Sequence, residues 1–429
     1  VRIVIVGAGF AGFHAARRLR RFLRQRTQIV VINPTDYFAY LPLLPEVASG
    51  ILDPREVAVP LATTLRGMRL LLGEVTSVDL EARSVSYVDP ERRHHTIEYD
   101  RLVLAPGSVH KLLPIPGVTE HAHGFRTIAE ALYLRDHLIG QIELADASTD
   151  PAERTARCTF VVVGAGYTGT EVAAQCELLT RHAARHRPGL AAQPLRWLLV
   201  DIADRILPEL DEKLSESATR TLQKRGIEIH TGTSVEKATA EGVQLSSGEF
   251  VPTRSLIWCV GVRPDPLVDG LGVPTIKGRI VVDEYLNIPG RPDAFACGDA
   301  AAVPDLTRPR TGDTPALAPM TAQHAMRQGK RVAENVAASV GHGERKPYRH
   351  RNLGFVVDLG GWQSAANPLG IRLSGPVAKL VTRAYHWFAV PANRGRIAAE
   401  WLVDTVAPHQ IVKLGLVRPG QVPLDADHE

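Results

Sequence analysis

The segment Phe160–Ala173, FVVVGAGYTGTEVA, decides how this chain is read, because an apolar strand runs into Gly164-x-Gly166-x-x-Gly169 and then into a helix. The first glycine permits a tight turn and the second lets backbone N–H groups approach a pyrophosphate. The third lets the helix pack closely on its strand. The helix N-terminus adds partial positive charge facing the phosphates. The same device has already been used at Val1–Leu19, VRIVIVGAGFAGFHAARRL, with Gly7-x-Gly9-x-x-Gly12. One such match is weak evidence, since glycine turns between strand and helix are common. Two in the same strand-to-helix context indicate two nucleotide sites.

A dinucleotide cradle is normally followed, roughly 20 positions on, by an acid that holds ribose hydroxyls. Asp201, ending LRWLLVD, takes that place for the second cradle, displaced by the loop HRPGLAAQP. Its carboxylate repels a 2′-phosphate, which favours NADH over NADPH, with Arg205 nearby as the opposing cation. The first cradle has Asn33 there instead, a residue that can still bond a ribose hydroxyl. A resident FAD and a visiting NADH account for the duplication, because a flavin accepts a hydride and releases electrons singly or in pairs.

Composition narrows the rest. Across 429 residues, 50 basic and 46 acidic side chains leave a formal net charge of +4, too balanced to indicate a nucleic-acid partner. The basic run RRLRRFLRQR from Arg17 reads as the solvated face of the first helix. Cys158, Cys176, Cys259 and Cys297 are far apart, with no C-x-x-C, which argues against a secreted disulfide scaffold and against a dithiol centre. No metal site is read from the sequence. No apolar stretch approaches the ~20 residues needed to cross a bilayer, and no signal peptide precedes the first strand, so a cytoplasmic chain is expected.

Along the chain, QIVVIN and EYDRLVLAPGS read as strands of the first domain. LADASTDPAERTAR reads as a polar loop, Ser234–Val251 as a hairpin, and PDAFACGDAAAVP as a strand ending in Gly-Asp. A loop rich in Pro and Thr runs to about Leu317, and a helix follows through TAQHAMRQGKRVAENV. The expected fold class is α/β, with two Rossmann-like dinucleotide-binding domains and a small C-terminal region. The FAD domain is discontinuous (1–112 and 269–347), the NADH domain (113–268) is inserted into it, and the C-terminal region is 348–429.

These residues resemble the two-dinucleotide-binding flavoproteins and, within them, the type II (non-proton-pumping) NADH:quinone oxidoreductases, over nearly the whole chain. The superfamily-wide features are both cradles, LVLAPGS and AFACGDAA. The resemblance implies that Asp299 bonds the ribityl and phosphate end of FAD. It also assigns cofactor contacts to Phe10, Ala11, Val75, Ala105, Gly107, Gly261 and Gly298. More specific are YFAYLPLLPEVASG from Tyr37, similar to the family segment beside the flavin, and TAQHAMRQG from Thr321. The latter resembles the Ala-Gln helix start that meets the flavin and lines the quinone pocket, here Ala322 and Gln323. The family's second Gln, four residues on, is Arg327 in this chain, followed by Gln328. Glu171 matches a family Glu near the nicotinamide and the flavin edge. A buried carboxylate there can hold a proton.

The tail VAKLVTRAYHWFAVPANRGRIAAEWLV, from Val377, sets Val377, Leu380, Val381, Ala384 and Phe388 at helical spacing. Pro391 stops that helix, and Ile397, Trp401 and Leu402 form a second apolar set. Lys379, Arg383, Arg394 and Arg396 lie among Tyr385, Trp387 and Trp401, a pattern that suits a helix lying in an anionic membrane surface. The expected activity is hydride transfer from NADH to FAD and then two electrons to menaquinone or ubiquinone. Glu171, Gln323 and Arg327 are the catalytic candidates, and the setting is the cytoplasmic face of the membrane, with a homodimer left open. If the tail is only a packing element, the chain is cytoplasmic. The alternatives are a soluble NAD(P)H-dependent reductase of a ferredoxin-like carrier and an NADH-sensing flavoprotein.

Overall fold

A computed structural model of the chain describes residues 1–23, 27–309, 316–350, 353–407 and 410–425. The end of the basic run (24–26), part of the Pro/Thr-rich loop (310–315) and positions 351–352, 408–409 and 426–429 of the C-terminal region lie outside the described residues. The chain divides into two compact units, 1–39 with 58–109 and 262–351, and 40–57 with 110–261 and 352–429.

The first unit is built on a six-stranded sheet. Its order is Asn287–Ile288, Arg291–Ala296, Arg101–Leu104, Arg2–Val6, Gln28–Asn33, Arg69–Leu72. All neighbours are parallel except the edge hairpin. Ile3, Val4, Ile5, Val30 and Leu102 are wholly buried, as expected for strands covered on both faces, whose sequences are apolar without alternation. The first cradle helix, Phe10–Phe22, packs along the helix Ala322–Ser339. Gly329 makes that approach possible, since a Cβ there would stand 2.1 Å from the Ala11 carbonyl oxygen. An antiparallel meander, Glu74–Asp79, Ser84–Val88 and His94–Glu98, extends from this unit.

The second unit repeats the plan with five parallel strands, in the order Ala122–Gly124, Ser255–Trp258, Thr159–Val163, Arg196–Val200, Ile227–His230. The two units thus form two Rossmann-like α/β domains. The region read as a hairpin is a three-stranded meander, Val235–Ala238, Gly242–Leu245 and Phe250–Pro252. The region read as a polar loop is instead mostly helical. Helix Ile128–Ala147 runs into it, and Pro151–Arg157 is a second helix, started by Asp150, whose side chain accepts from Ala152 N at 2.9 Å. The Asp-Pro start is a helix signal that its polar composition concealed.

Sequence reading drew boundaries at 112, 268 and 347. Contacts instead group Tyr40–Val57 and the C-terminal residues with the second unit. Its short helix Leu44–Ala48 packs on Ile128–Ala147 and on the second cradle helix, Tyr167–Ala184. The C-terminal residues form a small sheet, Val356–Asp358, Ser364–Ala366 and Leu373–Ser374. Two helices follow, Gly375–Ala389 and Arg394–Val406, with Pro391 between them.

A histidine pair makes the second unit acid-sensitive. His123 and His137 lie with ring centroids 4.3 Å apart, and His137 Nε2 is 2.9 Å from Ser255 Oγ. Burial lowers the His123 pKa to about 4 and holds His137 well below the usual value. Both are neutral when folded and take up protons near pH 6.5 when unfolded. Their contribution is therefore complete above pH 6.5 and is lost as the pH falls toward 4, at about 1.4 kcal/mol per pH unit for each excluded proton. Thermal unfolding followed from pH 8 to 4.5 should show a shallower acid decline for His123→Phe than for wild type. Parallel curves would contradict this.

Candidate functional site

In the first unit the chain turns from strand to helix at Gly7, with φ +86°. A Cβ on Gly7 would stand 2.3 Å from the Ala105 carbonyl oxygen, and one on Gly12 would stand 1.9 Å from the Gly7 oxygen. Gly9 faces open space, and no side chain caps the helix that begins at Phe10. A helix start of this kind suits an anion. Asn33 braces this turn, since its Oδ1 accepts from Ala8 N at 2.7 Å while its Nδ2 donates to Thr35. Gly298 (φ +78°) brings Asp299 toward Ser108, whose hydroxyl donates to Asp299 at 2.8 Å. Burial raises the Asp299 pKa, against the Ser108 hydroxyl and the charge of Arg279. Ala11 and Ala105 are buried, Gly107 adopts φ +92°, and Phe10 meets Phe38 edge-on at 4.9 Å. Val75 lies in the meander, paired with Tyr87.

The second cradle repeats the geometry. A Cβ on Gly164 would stand 2.3 Å from the Cys259 oxygen, and one on Gly169 would stand 1.8 Å from the Gly164 oxygen. Gly166 faces open space and the helix from Tyr167 has no side-chain cap. Asp201 occupies the place of Asn33, accepting from Ala165 N at 2.5 Å and from Ala203 N at 2.8 Å. Arg205 donates to the Pro208 carbonyl. Gly261 (φ +91°) accepts from Lys111 N at 3.1 Å. Two uncapped helix starts, each facing a glycine with empty space before it, fit the pyrophosphates of FAD and NADH.

The cysteines fit no dithiol centre. Burial pushes Cys158 up to about 11 and Cys259 and Cys297 up to about 12, and none is in a disulfide among the described residues.

The Ala322–Ser339 helix starts at Thr321, whose hydroxyl accepts from His324 N. Ala322, Gln323 and, one turn further on, Arg327 are half-exposed. Gln328 does not substitute for the missing amide at 327. It is buried, and its Oε1 accepts from Gly298 N at 2.7 Å.

Glu171 belongs to a buried ionic cluster of the second unit. Its Oε1 accepts from Asp358 N at 2.8 Å. Burial holds its pKa well above the usual carboxylate range, partly offset by the Asp358 amide and by Lys379, while Asp358 and Glu46 push it further up. Lys379 is 1% exposed and ion-paired to Asp358, with Glu46 at 3.8 Å. Glu46 accepts from Trp401 Nε1 at 2.6 Å, and burial raises its pKa to about 7 against Lys379 and Trp401. Tyr40 OH lies 3.1 Å from His386 Nδ1, and burial lowers the His386 pKa to about 4.

Sequence reading missed Glu46 and Asp358. The available signal was an acid set inside LLPEVA and another ending the apolar run GFVVD, positions where carboxylates need a partner. Lys379 and Trp401, read as interfacial groups, are instead buried.

The tail helix Gly375–Ala389 is therefore inverted. Its inner face is Ala378, Lys379, Thr382 and His386, while Val377, Leu380, Tyr385 and Phe388 are exposed. Helix Arg394–Val406 buries Ile397 and Trp401 and exposes Leu402, Val403 and Val406, so the apolar set read from sequence divides between two faces. No helix among the described residues is long and apolar enough to cross a membrane.

Residues 1–329 match the family model of pyridine nucleotide-disulphide oxidoreductases. The type II NADH:quinone oxidoreductase NdhA of Mycobacterium tuberculosis is 32% identical over 418 residues, covering 93% of this chain and 85% of that protein. The demethylphylloquinone reductase NdbB of Synechocystis is 29% identical over 412 residues, covering 94% and 95%. The structure of NDH2 from Plasmodium falciparum in complex with NADH shares the fold, with a TM-score of 0.88 at 18% identity over 96% of this chain and 99% of that one. The repeated cradles and this coverage place the chain in the pyridine nucleotide-disulphide oxidoreductase family and, within it, among the type II NADH:quinone oxidoreductases.

Proposed function

We propose that the protein is an FAD-dependent NADH dehydrogenase that passes two electrons to a membrane quinone without pumping protons. The overall balance is NADH, quinone and one proton giving NAD⁺ and quinol. Bound FAD supplies the centre that takes a hydride and returns the electrons. Gly7, Gly9, Gly12 and the Phe10 helix start hold its pyrophosphate, and Asp299 its ribityl end. Gly164, Gly166 and Gly169 hold that of NADH. Asp201, with both oxygens already fixed by backbone amides, still has lone pairs for ribose hydroxyls and opposes a 2′-phosphate.

The observation that carries the quinone reading is the inverted tail helix. A helix on a water-soluble protein turns its apolar stripe inward. This one turns Lys379, Thr382 and His386 inward and leaves Leu380 and Phe388 60% and 67% exposed. Helix Arg394–Val406 adds Leu402, Val403 and Val406, with Arg394 and Arg396 beside them. Such a surface suits the headgroup boundary of an anionic bilayer, where a lipid-dissolved acceptor is met. A soluble carrier protein does not require it.

Substituting the outer face tests this more cleanly than removing the tail, because truncation would leave Asp358 and Glu46 buried without their cation. Leu380→Glu with Phe388→Glu and Leu402→Glu should keep FAD and ferricyanide reduction. It should lose co-sedimentation with anionic liposomes and most reduction of long-chain quinones. Wild type that stays in the supernatant at low salt would make the soluble reductase the better reading.

The quinone requires one proton beyond the hydride. Glu171, whose pKa is held well above the usual carboxylate range by burial and pushed further up by Asp358 and Glu46, is the group proposed to hold it. Glu171→Gln should retain FAD and slow the quinone half-reaction by about 10²-fold or more. Both half-reactions running at wild-type rates would return Glu171 to a structural role.

A further inference from the structure

Arg279 is a cation closed off from water inside the first unit. It is 7% exposed and opens the strand Arg279–Val281. Its Nη1 and Nη2 both donate to the Ala318 carbonyl oxygen at 3.0 Å, and its Nε is buried with no partner among the described residues. Burial lowers its pKa, and the charge of Asp299 opposes that shift. Strand pairing brings the three residues together. Ile280 N donates to the Ala300 oxygen at 2.8 Å, and Ile280 and Val281 run parallel to Ala301 and Ala302. Ala318 N donates to the Val303 oxygen at 2.9 Å. The stretch that follows Asp299 thus pairs first with the strand of Arg279 and then with the segment of Ala318.

Holding one backbone carbonyl does not require a charge. A neutral amide makes that bond without the cost of burying an ion, and a buried ion is stable only through its partners. The other neighbours of Asp299 are neutral. The Ser108 hydroxyl donates to it at 2.8 Å. Around Gly298 stand the methyls of Ala11 and Ala325 and the amide of Gln328. Burial raises the Asp299 pKa, and Arg279 is the cation that works against the rise. An ionised carboxylate accepts through both oxygens, and a hydrogen bond to it is roughly twice as strong as one between neutral groups.

We propose that Arg279 is the buried counter-charge of the flavin site, a positioning residue that holds Asp299 as an ionised acceptor for the ribityl hydroxyls of FAD. The Ala318 carbonyl fixes the guanidinium in place, and its charge acts on Asp299. Without that charge the carboxyl takes up its proton at a higher pH, so FAD affinity falls as the pH is lowered toward that value. The inference rests on Asp299 as the residue at the ribityl end, and the test separates the two.

FAD-loaded enzyme is diluted at pH values from about 8.5 to 6, and released flavin is read at equilibrium by its fluorescence, giving a dissociation constant at each pH. Wild type should give a level profile. Arg279→Gln keeps a donor for the Ala318 carbonyl and removes the charge. Its affinity should fall as the pH is lowered, by up to about tenfold per unit, the slope of one linked proton. Arg279→Lys restores the charge and should restore the level profile. Asp299→Asn, alone or combined with Arg279→Gln, should hold FAD weakly at every pH and show no slope. Far-UV circular dichroism reports whether each variant is folded. Should Arg279→Gln not fold, the infrared difference between wild type and Asp299→Asn at neutral pH decides, because a protonated carboxyl band from Asp299 overturns the inference. A level profile in folded Arg279→Gln beside a weakened Asp299→Asn overturns the inference alone, as does a slope that persists in the double variant. Asp299→Asn that holds FAD as tightly as wild type overturns the ribityl assignment as well.

Discussion

One buried cation fixes the face that the C-terminal region presents. Lys379 is closed off from water beside Asp358 and Glu46, and a charge in that position is held only by its partners. Their pull determines which side of helix Gly375–Ala389 points inward, so the apolar side points out. Glu46 accepts from Trp401 and sets the second tail helix in the same way. Glu400 accepting from Asp53 N and Asn393 donating to the carbonyls of Arg55 and Glu56 complete the attachment. An exposed apolar surface is thereby supported by polar contacts beneath it, the reverse of an ordinary surface helix. Glu171 reaches the same cluster through the Asp358 amide, which relates the tail's anchor to the carboxylate proposed to hold a proton.

The two cradles show why the fold itself was legible. A strand buried on both faces must be apolar throughout, and a helix start that meets a phosphate must lack Cβ atoms at fixed steps. Gly7 and Gly12, like Gly164 and Gly169, stand under 2.5 Å, measured from an added Cβ, from backbone oxygens. Those positions admit no other residue without a shift, so the pattern survives in the sequence. Asp201 was legible for the same reason, as an acid at a set distance from a glycine turn.

What the sequence left unread were interactions between segments far apart in the chain. Glu46 and Lys379 are separated by most of the second unit, and nothing local to either residue names the other. The periodicity of Val377–Phe388 was visible, but periodicity reports that a helix has two faces and is silent on which is inside. Lys379 and Trp401 accordingly read as surface groups, and the structure buries both. Gln328 is visible in the sequence as an amide beside Arg327, while its engagement with Gly298 depends on tertiary packing.

The central claim is that one flavin is reduced by NADH and reoxidised by a quinone dissolved in lipid. The most direct measurement is an anaerobic double-mixing stopped-flow record of the FAD absorbance in the presence of anionic liposomes. NADH is mixed first, and liposomes carrying a menaquinone or ubiquinone analogue are mixed second. The account predicts rapid bleaching by NADH and then full recovery of the oxidised flavin spectrum with one quinol formed per NADH. Flavin that bleaches with NADH but stays reduced in the presence of both quinones would contradict it.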